Sequence, residues 1–172
     1  MTIYLKQGSV VTEVGPQGIL HSLFSTIAVR LEDGKWGSRF PVIMNVFYQG
    51  KLDRLHADTA FAEMKIIREE LKAVAPKYVV WDIENLDQEP PWAGVEIASH
   101  VTSAQNYFAT TYGRNLVDEI AEGIDSLLEF GGIFEIVSTA EAPFTRKSNE
   151  PDNPPKKAKE NTFFGKFRNI FR

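Results

Sequence analysis

Apolar residues recur at intervals of three and four from Ala57 to Val74, and the spacing returns between Leu116 and Leu128. Ala57, Ala60, Phe61, Met64, Ile67, Leu71 and Val74 form one stripe. Leu116, Val117, Ile120, Ala121, Ile124, Leu127 and Leu128 form another, closed by Gly131-Gly132. Each reads as a helix with a single apolar face, and such a face has to be buried against another layer. A third helical pattern starts at Gly18 with Leu20, Leu23, Phe24, Ile27 and Leu31. Its second half also alternates, which leaves a late switch to strand open. Ser38-Arg39-Phe40-Pro41 predicts one more helix start, with serine as cap, Ile43, Met44, Phe47 and Tyr48 as apolar face, and Gly50 as stop.

Short β-rich runs surround these helices. Ile3-Tyr4-Leu5 and Val10 to Val14 flank Gly8-Ser9 and predict a hairpin. Tyr78-Val79-Val80-Trp81-Asp82-Ile83 reads as a central strand, Tyr107 to Thr111 as a short one, and Ile133 to Val137 as the last. The runs do not alternate regularly with the helices, so a doubly wound parallel sheet is not indicated. The expectation is an α+β fold, with amphipathic helices packed on one face of a mostly antiparallel sheet.

Core signals stop near Glu141. Arg146 to Asn161 carries Pro151, Pro154 and Pro155 among lysines and small polar residues, a linker composition. The chain then ends on Thr-Phe-Phe-Gly-Lys-Phe-Arg-Asn-Ile-Phe-Arg. Wound as a helix from Thr162, it places Phe163, Phe164, Phe167, Ile170 and Phe171 on one stripe, with Lys166, Arg168 and Arg172 off it. The organisation read from the sequence is therefore a folded domain over 1–140, a linker over 141–161 and a basic amphipathic helix over 162–172. The last of these can dock on a membrane, on a partner groove or on the protein's own body.

Charge divides along the same boundary. Residues 146–172 hold eight Lys/Arg against three acids, giving +5, so the remainder has 11 basic and 20 acidic residues, giving −9. A body this acidic repels nucleic acid, so none is expected as a partner, and it attracts a basic surface. Cysteine is absent, which excludes disulfides and thiolate metal sites. No apolar run approaches the ~20 residues of a transmembrane helix, and the N-terminus does not read as a signal peptide. The expected location is the cytoplasm, with the terminal helix as a peripheral contact to the inner face of the membrane if it binds lipid.

Chemistry is sparse in this sequence. His21 and Ser25 stand four apart, the spacing of neighbours on a helix, but no third group is evident, and packing is the better reading. No histidine has a second one at metal-ligand spacing, and no glycine loop matches a phosphate-binding pattern. Neither a cofactor nor a metal is expected, and no catalytic residue is assigned. The acidic run after the Tyr78–Ile83 segment is the remaining candidate. Asp82, Glu84, Asp87 and Glu89 precede Pro90-Pro91-Trp92. These carboxylates read as a solvated loop, as a protein-binding surface with Trp92 as anchor, or as a metal or acid–base pair.

Six runs, taken in order, carry a resemblance. They are His21-Ser22-Leu23-Phe24-Ser25-Thr26, Trp36-Gly37-Ser38-Arg39-Phe40-Pro41, Tyr48-Gln49-Gly50-Lys51-Leu52, Val80-Trp81-Asp82-Ile83-Glu84, Pro90-Pro91-Trp92 and Asn106-Tyr107-Phe108. Over roughly residues 1–138 the chain resembles the immunity protein 70 family of bacterial polymorphic-toxin systems. The resemblance implies a small cytoplasmic protein that binds and neutralises a cognate toxin domain, and with no catalytic residue assigned the protein is not expected to be an enzyme. It supplies no site residues and does not extend to the terminal helix. From charge, Asp82, Glu84, Asp87, Glu89 and Trp92 are the expected toxin-binding surface. The alternative is a peripheral membrane or scaffold protein, anchored through Phe163, Phe164, Phe167, Ile170, Phe171, Lys166, Arg168 and Arg172.

Overall fold

The N-terminal hairpin and the three strongly periodic helices form where their patterns place them. The computed structural model describes residues 1–139. The linker and terminal helix read from the sequence lie outside the described residues. Strands β1 (Thr2–Gln7) and β2 (Val10–Pro16) pair antiparallel, with a bulge between Ile3 and Tyr4. Helix α1 spans Gln17–Leu31, and the second half of its pattern stays helical. Strand β3 (Lys51–Asp53) leads directly into α2 (Arg54–Leu71). Asp53 caps α2, its carboxylate accepting the N–H of His56, as a short acidic side chain at that position does. Helix α3 spans Leu116–Phe130, capped by the Asn115 side chain, and β4 spans Ile133–Ser138.

The four strands form one antiparallel sheet in the order β2-β1-β4-β3. The fold is α+β, as the mixed periodicity implies. Ile3 and Leu5 of β1, Leu52 of β3 and Phe134 of β4 point to one face and are buried there. All three helices pack over that face. Leu20, Leu23, Phe24 and Ile27 of α1, Ala60, Met64 and Ile67 of α2, and Val117, Ile120 and Ile124 of α3 complete a single core. The opposite face carries Lys6 and Lys51, both within ion-pair distance of Glu135 at 3.2 and 3.5 Å.

Three local expectations change. The segment after Ser38 does not begin on a serine cap: Pro41 is the cap residue, Val42–Val46 is wound as a π-helix, and Phe47–Gln49 tightens to a 3₁₀ turn before Gly50. Two acidic side chains replace the missing cap. Glu32, almost fully buried, accepts the N–H groups of Gly37, Arg39 and Phe40 at 2.8 to 3.0 Å. Glu63 from α2 accepts those of Val42 and Ile43 at 3.2 and 2.8 Å. The second change is at Tyr78 to Ile83, which is not a strand; Pro76–Tyr78 forms a 3₁₀ turn and the rest runs irregularly along α1. The third is at Tyr107 to Thr111, a tight loop with one bridge between Ala109 and Asn115. It donates the Thr111 N–H to the Val14 carbonyl and so covers part of the β2 edge.

Candidate functional site

The acidic loop is positioned by a row of hydroxyls on α1. Ser22, Ser25 and Thr26 fall at spacings of three and four, so they share one helix face, and all three are fully buried. Ser22 Oγ donates to the Val80 carbonyl at 2.7 Å, and Thr26 Oγ1 donates back to the Ser22 carbonyl at 2.8 Å, with the Val80 carbonyl 3.2 Å away. Thr26 Oγ1 also accepts the Val80 N–H at 2.9 Å, while Ser25 Oγ accepts the Ile83 N–H at 3.1 Å. One turn further along, Arg30 Nε donates to the Tyr78 carbonyl at 2.7 Å. Backbone groups that a neighbouring strand would satisfy in a sheet are satisfied here by helix side chains. This is why a β-rich sequence becomes a strap.

Side chains lock the strap at its second half. The six-membered ring of Trp81 packs against Gly18, where an added Cβ would stand 2.8 Å from it. Trp92 packs edge-on against Trp81 with centroids 5.2 Å apart, and its indole N–H donates to Tyr107 Oη at 2.7 Å. His21 sits between two partners, with Nδ1 2.7 Å from Tyr48 Oη and Nε2 3.1 Å from Asp82 Oδ1. Asp82 Oδ1 also accepts the Glu84 N–H at 2.9 Å, turning the chain outward. That backbone N–H, followed by His21, holds the Asp82 carboxyl below the usual carboxylate range. Burial, followed by the Asp82 charge, raises the Tyr48 phenol.

This constellation does not form a nucleophile and its base. The Asp82 carboxylate only accepts, so Nε2 carries a proton and has no lone pair for the hydroxyl of Ser25, 3.3 Å away. Ser25 Oγ is also fully enclosed and already accepts from Ile83. The cluster is a tether: it ties the start of the loop to α1 and to the turn before β3.

From Glu84 the loop is exposed. It proceeds through successive tight turns, with Gln88 N–H on the Asn85 carbonyl, Ala93 N–H on that of Pro90, and Val95 N–H on that of Trp92. Glu84, Asp87 and Glu89 face solvent, whereas Asp82 is half-buried in its tether. Trp92, expected from sequence as a surface anchor, is half-buried and braces the loop from within. The apolar side chains the loop does expose are Leu86 and Val95, at 64% and 48%. Their signal in the sequence was faint: isolated apolar residues between acids, with no periodic partner. Residues 78–113 hold five carboxylates and neither lysine nor arginine.

The other histidines have local duties. His56 Nδ1 lies 2.8 Å from the Asp53 cap, and the His100 carbonyl accepts from Asn106. Among the described residues, no group of three or more His, Cys, Asp and Glu side chains converges as a metal ion would require. Also among them, no helix is long and apolar enough to cross a membrane. Phe163, Phe164, Phe167, Ile170, Phe171, Lys166, Arg168 and Arg172 lie outside the described residues.

The tether makes a direct prediction. Thr26→Val keeps the shape of the side chain but leaves the Val80 N–H without its acceptor. The expected cost is about 1–3 kcal/mol, with faster hydrogen exchange at Val80 than at the helix amides of α2. Unchanged protection at Val80 would mean that another group holds the strap.

The family model described as Immunity protein 70 matches residues 5–136. No curated protein and no solved structure gives a match. The matched span runs from β1 into β4 and includes the strap, the His21 tether and the acidic loop. The chain belongs to the immunity protein 70 family.

Proposed function

We propose that this member of the immunity protein 70 family neutralises a cognate toxin domain by stoichiometric occlusion, without chemistry of its own, through the acidic loop over residues 82–96. The observation that carries the reading is the loop's combination of fixed base and charged surface. Its start is pinned to α1 by hydroxyls and by His21, and its outer side presents Glu84, Asp87 and Glu89. An inhibitor gains from a surface ordered before the partner arrives, because little conformational entropy is then lost on binding. Excess negative charge on that surface speeds encounter with a basic partner and disfavours a wrong one. A toxin that holds nucleic-acid phosphate must present such a basic face. Trp92 acts beneath the surface as a brace, and Leu86 and Val95 supply the apolar contacts. In this reading residues 1–140 are the neutralising domain, 141–161 the linker and 162–172 an appended helix.

The test is charge reversal within the loop. Glu84, Asp87 and Glu89 are exposed, so the triple variant Glu84→Lys, Asp87→Lys, Glu89→Lys is expected to fold and melt as the parent does. Co-expressed with the toxin encoded beside its gene, the parent should rescue growth and co-purify as a complex. The triple variant should bind at least about ten-fold more weakly, mainly through slower association, and lose much of the salt dependence. A complex as tight as the parent's would remove this loop from the interface.

A further inference from the structure

The last strand runs out of partners where it ends. Thr139 donates its N–H to the Thr2 carbonyl, and only Met1 lies beyond Thr2 on that side of β1. The Met1 carbonyl is already taken by the Gln17 N–H at 3.2 Å. A chain leaving Thr139 therefore has no further length of β1 to follow. Thr2 pairs with Pro16, the residue before α1, and the ring of Trp81 packs against Gly18 in the first turn of that helix. Trp92 stands edge-on against Trp81, and the exposed Val95 donates its N–H to the Trp92 carbonyl. From the exit to this pair of half-buried indoles is two strand spacings and half a helical turn, a path of roughly 15–20 Å.

We propose that Phe144 docks on the Trp81–Trp92 pair, so that the segment after β4 clasps the acidic loop to the body of the same chain. Reach supports this occupant. Phe144 is the first aromatic residue after the exit, and five residues of extended chain span up to about 17 Å before the ring itself is counted. Pro143 cannot donate to a sheet, and it biases Ala142 toward an extended backbone. Phe163 and the later phenylalanines reach the same place only through a connection several times as long, and closing the longer loop costs more entropy. A phenyl ring set against an edge-on pair of indoles extends the cluster by a further favourable ring contact.

Charge selects the same site. Arg146 and Lys147 come just after Phe144, and Glu84, Asp87 and Glu89 face solvent on the loop that joins the two indoles. With Phe144 seated, the two cations lie beside a stretch that has carboxylates and neither lysine nor arginine. Another cleft within reach borders Gly50, Ile136 and Val137, and it carries Lys6 and Lys51, which share the single carboxylate of Glu135. Its surplus positive charge disfavours a segment that brings two more cations.

The test is fluorine NMR of the full-length protein grown with 5-fluorotryptophan, whose three indoles give three resonances. Phe144→Ala should shift the resonances of Trp81 and Trp92 and leave that of Trp36, which packs on Phe24 and Tyr48. Phe144→Tyr keeps a ring and should stay close to the parent spectrum. Arg146→Glu with Lys147→Glu should produce part of the Phe144→Ala shift, and so should added salt. Unmoved Trp81 and Trp92 resonances in Phe144→Ala would overturn the proposal, as would equal movement of all three. So would shifts caused by Phe163→Ala and Phe167→Ala instead, or an effect of Phe144→Ala confined to the methyls of Val46 and Val137. A difference between parent and Phe144→Ala that disappears on dilution would assign the contact to a second copy and overturn it too. None of these readouts involves a toxin, so they are independent of the loop's role as a toxin-binding surface.

Discussion

Replacing Glu32 by alanine is expected to destabilise the protein by about 3 kcal/mol or more and to lower its melting temperature by about 10 °C. The carboxylate is 1% exposed and receives three backbone N–H groups, from Gly37, Arg39 and Phe40. Truncation leaves those donors buried or half-buried without an acceptor, at a cost of about 1–3 kcal/mol for each that water cannot reach. One effect opposes the loss. The Glu32 charge is among the influences that raise the Glu63 carboxyl, after burial itself, so its removal relieves some repulsion between two enclosed acids. The relief is smaller than the loss of three charge-assisted bonds, because Glu63 keeps its own donors at Val42 and Ile43. Glu32→Gln should fall between the parent and alanine. It preserves the oxygen that serves Arg39 and Phe40, but turns an NH₂ toward the Gly37 N–H, or the reverse. Thermal melts of the three proteins check the order. Equal melting temperatures for alanine and glutamine would place the stabilisation in charge alone.

Gly123→Ala is expected to be the second large loss, in a direction helix propensity does not predict. Alanine within a helix is ordinarily better than glycine by about 1 kcal/mol. At residue 123 the added methyl would stand 2.3 to 2.7 Å from three atoms of the Phe134 ring. That ring cannot swing aside: it is buried, and it stacks on Phe47 with centroids 4.8 Å apart. Relief has to come from moving α3 away from β4, and overpacking of this kind costs about 1–3 kcal/mol, occasionally more. The net expectation is a loss of up to about 2 kcal/mol for alanine and a larger one for valine. Denaturant unfolding would read it. Pairing Gly123→Ala with Phe134→Leu should recover part of the loss, since leucine leaves the space the ring tip fills. No recovery in the double variant would remove the ring as the cause.

The parts of the fold that could be read in advance are those whose information is local. α2 and α3 announce themselves through apolar stripes, and the hairpin through two β-rich runs around Gly8-Ser9. The Tyr78 to Ile83 run misled because β-branched and aromatic residues report an extended backbone and say nothing about its partner. The partner is a set of hydroxyls about 55 residues earlier in the chain. The cap on the Val42–Val46 turn is hidden from the sequence for a similar reason. Ser38 is the nearest capping residue in sequence, whereas Glu32 and Glu63 reach it only once α1 and α2 have packed. Strand β3, three residues long, is too short for any period to show.

The candidate site divides the same way. Its acids are visible as a run without lysine or arginine, but the link from Asp82 through His21 to Tyr48 spans three distant segments and exists only in the folded chain. Trp92 illustrates the limit of composition. A tryptophan beside carboxylates reads as anchor or as brace, and the bond from its indole to Tyr107, which supplies the bracing contact, forms only in the folded chain.

The strap along α1 has one more consequence. Its ties run through the main-chain atoms of Tyr78, Val80 and Ile83, with the side-chain partners supplied by the helix. Fastening and display are therefore written in different parts of the gene. Mutations at Glu84, Leu86, Asp87 or Glu89 can alter what the loop presents without loosening what holds it. A chain built this way can explore new surfaces at little cost to its fold.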